Sequence, residues 1–246
     1  MTPTTINELR TNKSNTTLKD PSGLTYFLQG MTCFLFLIYD AIQHIIDQVI
    51  YGNLIKDLHF FDWPWYALIT HWTFVIIVWG TCLYLMSRWV KKYKTLKILD
   101  FKLTSSAKYL IPIALVLGIV FAFIEYLMAP SILPQIYNEY LHFVEDHGSK
   151  ALLVSIVQNI YYIFEAGLVV FLVAFMQNAG EKWFKSTKIP FGSIGLATTW
   201  GLAHLTHGGL ATLWIITFAF AAGLFFQVTK KSIIISYILI LSIFII

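Results

Sequence analysis

From residue 24 onward the chain alternates between long apolar runs and short polar stretches. The runs lie at 24–48, 63–88, 109–129, 151–177, 191–207, 209–228 and 232–246. A helix needs about 20 apolar residues to cross the hydrocarbon of a bilayer, and most of the runs meet that length. The pattern therefore predicts an all-α fold: a polytopic transmembrane helical bundle of about seven spans. The runs at 191–207 and 232–246 are short, and are expected to tilt, to re-enter or to sit deep in protein. Residues 1–23 are polar, rich in Thr, Asn and Lys, and lack the apolar stretch of a signal peptide. They are expected to form a disordered tail. Three segments follow: the tail 1–23, an N-terminal membrane part 24–149 with three spans, and a membrane core 150–246 with four.

Composition agrees with the pattern. Hydrophobic residues make up 57% of the chain and charged residues only 12%, against about 25% charged in soluble domains. A single soluble core cannot hide that much apolar surface from water, so lipid is the expected surrounding. No basic patch is interleaved with aromatics in a soluble domain, which argues against nucleic acid as a partner. The two cysteines, Cys33 and Cys82, both fall within apolar runs and are expected to be small core residues.

The positive charges orient the bundle. Along the chain the tail and the successive loops hold three, one, seven, one, three, no and two of the 17 Lys and Arg residues. Basic residues concentrate on the cytoplasmic side of a membrane protein. The alternation predicts seven crossings, with the N-terminus cytoplasmic and the C-terminus outside.

Ionisable residues at membrane depth are costly and mark the candidate chemistry. Glu165 lies near the middle of the fourth run, with Gln158, Tyr161 and Tyr162 on the same helical face. A buried carboxylate must be protonated or paired with a donor. Glu165 is either a structural acid making one interhelical hydrogen bond, or a general base or metal ligand. In the fifth run Ser193, Ala197, Trp200, His204 and His207 recur at steps of three and four and form one stripe. An imidazole there can accept a proton, relay one or bind a metal. His204 lies deeper and is the functional candidate; His207, beside Gly208 and Gly209, is a secondary candidate or an interfacial turn residue. A third stripe, Asp40, Gln43, His44 and Asp47, begins about 24 Å along the first helix and is expected to be a solvated face. Glu125 is expected to be a pairing or interface residue. The amphipathic stretch Ile132–His147 is expected to be an external loop or surface helix.

Residues from about 150 to the end resemble the CPBP (Abi) family of membrane-embedded CAAX-prenyl-protease and bacteriocin-processing proteins. That family carries Glu-Glu-x-x-x-Arg on one helix, Phe-x-x-x-His on the next, and His-x-x-x-Asn on a later one. Phe164-Glu165-Ala166 matches the first Glu, with Ala166 at the second Glu and Val170 at the Arg. Trp200-Gly-Leu-Ala-His204 resembles the second motif, and Ile240 and Phe244 fall where the last His and Asn would stand. The resemblance implies an intramembrane endopeptidase in which Glu165 and His204 activate water, acting on a membrane-associated peptide or protein. A divalent metal such as zinc is compatible with Glu165, His204 and His207, though these make only a minimal ligand set. The departures leave open a non-catalytic relative that binds a membrane partner, as an immunity or maturation protein does. Both readings expect Glu165 and His204 in a shared bundle; only the first requires them to face one another.

Overall fold

The structure, a computed structural model, describes residues 20–93, 96, 112, 116, 119, 120, 123, 126, 127, 135–204 and 209–245. These residues are helical or in short connections. Helix α1 (Gly23–Tyr51) is followed by two 3-10 turns and by α2 (Trp65–Tyr93). Helix α3 (Gln135–His147) leads through Gly148–Lys150 into α4 (Ala151–Phe184). Helix α5 (Phe191–Leu196) continues as a π-helical turn, Ala197–Gly201. Helices α6 (Gly209–Val228) and α7 (Ile233–Ile245) complete the order.

The helix ends follow local chemistry. Ser22 caps α1, its hydroxyl accepting from the Thr25 backbone N–H at 3.1 Å. Pro64 stands just before α2, where its fixed φ suits a helix start and its missing N–H is no loss. Gly148 has φ +53, a left-handed conformation that glycine adopts without a Cβ penalty, and there the chain turns from α3 into α4.

Helix α4 is the axis of the bundle. Residues 165–177 are all buried, with no solvent-facing stripe. Its sequence there is apolar on every side, the pattern of a helix enclosed by others. Helices α1 and α2 cover one flank, joined where Trp79 Nε1 donates to the Phe36 carbonyl at 2.6 Å. Tyr26, Trp89 and Phe175 interlock α1, α2 and α4 through edge-on rings. On the other flank small residues bring α5 close to α4 and α6. A Cβ at Gly192 would stand 2.8 Å from the Val173 carbonyl oxygen, and one at Gly223 would stand 2.9 Å from the Ser193 Cα. A smaller core, including Trp63, Trp72 and Phe143, ties α3 to the start of α2.

Ion pairs mark the two ends. Asp20, just before α1, pairs with Lys182 in the last turn of α4, and Glu181 pairs with Lys231 between α6 and α7. At the other end His142 of α3 faces Asp62 at 3.3 Å. Helices α1 and α4 are therefore antiparallel.

Three helical stretches are long and apolar enough to cross a membrane: Gly23–Tyr51, Trp65–Tyr93 and Gln135–Phe184. Leu213–Val228 and Ile233–Ile243 are shorter apolar helices. Leu35, Ile45 and Val49 face outward from α1, with Val49 80% exposed, a surface suited to lipid tails. The run 109–129 falls largely outside the described residues, Glu125 among them; its described residues are helical and outward-facing. The run 191–207 is not one straight α-helix, because α5 gives way to the π-helical turn after Leu196. Of the amphipathic stretch Ile132–His147, the structure describes Gln135–His147, which is α3; it buries Phe143, and its other residues are half-buried or exposed. Cys33 and Cys82 are buried and unbridged, as expected of core residues.

The close approach at Gly223 makes a stability prediction. Replacing Gly223 by Ala forces Ser193 to move and should cost about 1–3 kcal/mol. Gly201→Ala, whose new Cβ would find its nearest neighbour 3.4 Å away, should cost less. Thermal unfolding in detergent micelles distinguishes the two.

Candidate functional site

Glu165 lies 14 residues into α4, about 21 Å from the Ala151 end, and is only 6% exposed. Its Oε1 accepts a hydrogen bond from Trp200 Nε1 at 3.1 Å. That indole comes from the π-helical turn, which joins α5 to the residues leading to His204. His204 Nδ1 lies 2.8 Å from the Trp200 carbonyl oxygen. A carbonyl only accepts, so Nδ1 carries a hydrogen and Nε2 is the basic nitrogen of the neutral ring. The Trp200 and His204 rings lie against one another, centroids 4.2 Å apart. One tryptophan thus positions both candidate residues: its side chain holds the acid and its backbone holds the imidazole.

Glu165 and His204 line the same cavity, which has two adjoining lobes of about 220 and 260 Å³. Asp40, Tyr161 and Trp200 also border both lobes. The volume is ample for several waters, and polar walls are what keep water in a cavity. His207 lies outside the described residues.

The stripe expected to be a solvated face is instead part of this interior. Asp47 is fully buried and Gln43 is 3% exposed. The reason is His71 of α2, which faces the stripe. Its Nδ1 is 2.7 Å from Asp47 Oδ2, and its Nε2 is 3.0 Å from Asp40 Oδ1. Gln43 Nε2 donates to the other Asp47 oxygen at 2.9 Å, and Tyr39 donates to Gln43 at 2.8 Å. Two hydrogens are needed between the imidazole and its two carboxylates. Either the ring is an imidazolium between two carboxylates, or one acid is protonated beside a neutral ring. Both arrangements carry the same net charge of minus one. Asp47 is sealed, whereas the Asp40 side chain keeps 36% of its surface and borders the cavity. His44 is stacked on Trp63, centroids 4.7 Å apart, at the edge of the cluster. The sequence carries one signal for His71: it is an imidazole inside the apolar run 63–88.

The residues on the face of Glu165 form a second network. Gln158 Nε2 donates to the Tyr162 hydroxyl at 3.1 Å, and that hydroxyl donates to Glu139 of α3 at 2.8 Å. Tyr161 points to the cavity and stacks obliquely on Trp79. Glu165 itself accepts from the indole of Trp200.

A metal finds no obvious seat in the described part of this cavity. Among the described residues, the three acid and imidazole groups with ligand atoms within 4.8 Å of one another are Asp62, His142 and Asp146. Glu165, His204 and Asp40 do not converge in that way. No family model, curated protein or solved structure matches the chain.

Two expected outcomes follow from the geometry. Trp200→Phe leaves Glu165 without its donor in a buried site and should destabilise the fold by about 1–3 kcal/mol. His71→Ala strands the sealed Asp47 carboxylate and should cost more, about 3–5 kcal/mol. Both are read as shifts of the unfolding midpoint of the purified chain in micelles.

Proposed function

We propose that the chain is a multi-pass membrane hydrolase that cleaves a peptide bond of a membrane-associated substrate, with Glu165 and His204 activating water. The observation that carries this reading is the cavity shared by the two residues. The resemblance of Phe164-Glu165 and Trp200-Gly-Leu-Ala-His204 to the CPBP motifs supports the same pair. The seven-span topology with a cytoplasmic N-terminus belongs to this proposal.

The chemistry runs as follows. A water between Glu165 and His204 gives its proton to the carboxylate or to His204 Nε2 as its oxygen attacks the scissile carbonyl carbon. The new C–O bond forms while the carbonyl π pair moves to oxygen. The proton passes to the leaving nitrogen as the C–N bond breaks, giving an acid and an amine. The developing oxyanion needs donors. Ile240, at the position of the family's later His, is apolar and fully buried, and supplies none. The Tyr161 hydroxyl, on the cavity wall, takes that part in this reading.

The apolar Ile240 favours a second reading. A chain that has lost oxyanion donors still offers a walled polar cavity, and serves as a binding, immunity or maturation protein.

Quenched fluorogenic transmembrane peptides in proteoliposomes test the choice. The wild-type chain should cleave at least one. Glu165→Gln and His204→Ala should each lower the rate about a hundredfold or more, with membrane abundance unchanged. Tyr161→Phe should lower the rate about tenfold or more, consistent with loss of an oxyanion donor. Cleavage that persists in Glu165→Gln overturns the hydrolase reading, and a wild-type chain that cleaves nothing leaves the binding reading.

A further inference from the structure

The water-activating step leaves Asp47, His71 and Asp40 without a part, yet these groups lead from the interior to the cavity. Asp47 is 0% exposed and His71 1%. The two acids belong to α1 and the imidazole to α2, so the chain of hydrogen bonds bridges two helices. Its outer member, Asp40, lines both lobes together with Tyr161, Glu165 and His204.

Hydrogen counting places a movable proton at that outer end. Tyr39 donates to Gln43 Oε1, so the Gln43 amide turns Nε2 toward one Asp47 oxygen. His71 Nδ1 meets the other oxygen at 2.7 Å. Donors on both oxygens suit an ionised Asp47 and leave the Nδ1 hydrogen on the ring. The contact of His71 Nε2 with Asp40 Oδ1, at 3.0 Å, then needs a second hydrogen. That hydrogen rests on the ring nitrogen or on the carboxyl oxygen, and its passage between them moves no heavy atom. It lies on the cavity side, because the Asp40 side chain keeps 36% of its surface and Asp47 keeps none. An imidazole held on one nitrogen by a buried carboxylate, with its other nitrogen toward the reacting groups, is how hydrolytic enzymes hold and move protons.

The groups around the pair can be named from each packed element. His44 of α1 meets the His71 ring edge-on, centroids 6.3 Å apart. The turn before α2 contributes the rings of Phe60 and Trp63. Helix α4 presents Tyr161 and Glu165 to the cavity, and His204 follows the π-helical turn. His204 already gives its Nδ1 hydrogen to the Trp200 carbonyl. Among the described residues, no Lys or Arg lines either lobe. Glu165 and His204 take a proton when water is activated, and the hydrogen between His71 and Asp40 is a separate supply on the same wall.

We infer that Asp40 is the general acid of the cavity and gives the hydrogen it shares with His71 to the leaving nitrogen, with Asp47 and His71 as its positioning residues. This deepens the hydrolase reading and rests on it. Water loses a proton to Glu165 or His204 as its oxygen bonds to the carbonyl carbon. The C–N bond then breaks, its electron pair goes to nitrogen, and that pair takes the hydrogen from Asp40. The proton on Glu165 or His204 returns to the Asp40–His71 pair through water in the cavity. The proton lost by water thus reaches the nitrogen by way of this pair, and the site is restored.

The test gives the full chain in proteoliposomes two peptides that differ only at the scissile bond. One carries an amide and the other a nitrophenyl ester, whose leaving oxygen departs without a proton. Asp40→Asn lets the new amide donate to Nε2 of a neutral His71 ring, which keeps the hydrogen bonds and removes the proton. At matched membrane abundance it should lower amide cleavage about a hundredfold. Ester cleavage should fall less, so that the amide-to-ester ratio drops about tenfold or more. The alkaline limb of the wild-type amide profile should be altered in the same variant, whereas Glu165→Gln should lower both substrates alike. If Asp40→Asn does not fold, His71→Asn is the second variant and should lower the same ratio. An unchanged ratio with an active wild type overturns the general acid and keeps the hydrolase. A wild type that cleaves neither peptide removes the hydrolase and the general acid with it, and nitrogen-15 NMR of His71 in nanodiscs then judges the shared proton alone. Nδ1 should stay protonated while Nε2 titrates, and Asp40→Asn should move that titration; an Nε2 signal that the variant leaves in place overturns the shared proton as well.

Discussion

The fold depends on how a largely apolar bundle accommodates carboxylates that have left water. Each one costs several kcal/mol unless a donor or an opposite charge replaces its hydration. The chain answers with three kinds of partner. Asp47 has an imidazole on one oxygen and an amide on the other. Glu165 has an indole N–H. Asp40 shares the imidazole and also borders a cavity. The three solutions run from sealed to accessible, and the accessible end is where chemistry has room to occur.

Packing explains why these groups meet. Helix α4 is enclosed on all sides over residues 165–177, so Glu165 stands where the enclosed stretch begins. Helices α1 and α2 cover one flank and bring Asp40 and His71. Helix α5 covers another and brings Trp200 and His204. The glycines between α5 and its neighbours set the distance at which the indole can reach the acid. A bundle spaced by larger side chains would hold the same residues without placing them around one cavity.

Much of this was legible in the sequence. The runs 24–48, 63–88 and 151–177 became α1, α2 and α4, because long apolar stretches between polar ones leave the backbone few alternatives to helix in lipid. Glu165 was conspicuous because a carboxylate stands out in an apolar run. Asp47 is buried and Asp40 half-buried for a reason their own stripe does not carry. Depth along one helix predicts a solvated face, whereas their burial is decided by another helix, through His71. A partner 24 residues further along the chain leaves no periodic trace on the stripe itself. The indole bond to Glu165 was hidden for the same reason: Trp200 looked like one more member of a helical face. The break after Leu196 was also invisible, since a π-helical turn has no compositional signature as plain as a proline.

That turn has a consequence for how the chain tolerates change in length. A π-helical turn accommodates one residue more than the α-helical ladder allows. Removing a single residue between Ala197 and Gly201 would let the ladder close into regular α-helix with the residues beyond it close to their present orientation, whereas a residue lost from a regular α-helical stretch swings everything beyond it by about 100° around the axis. The turn is thus a point of slack between α5 and His204, where a change of one residue in length is absorbed locally.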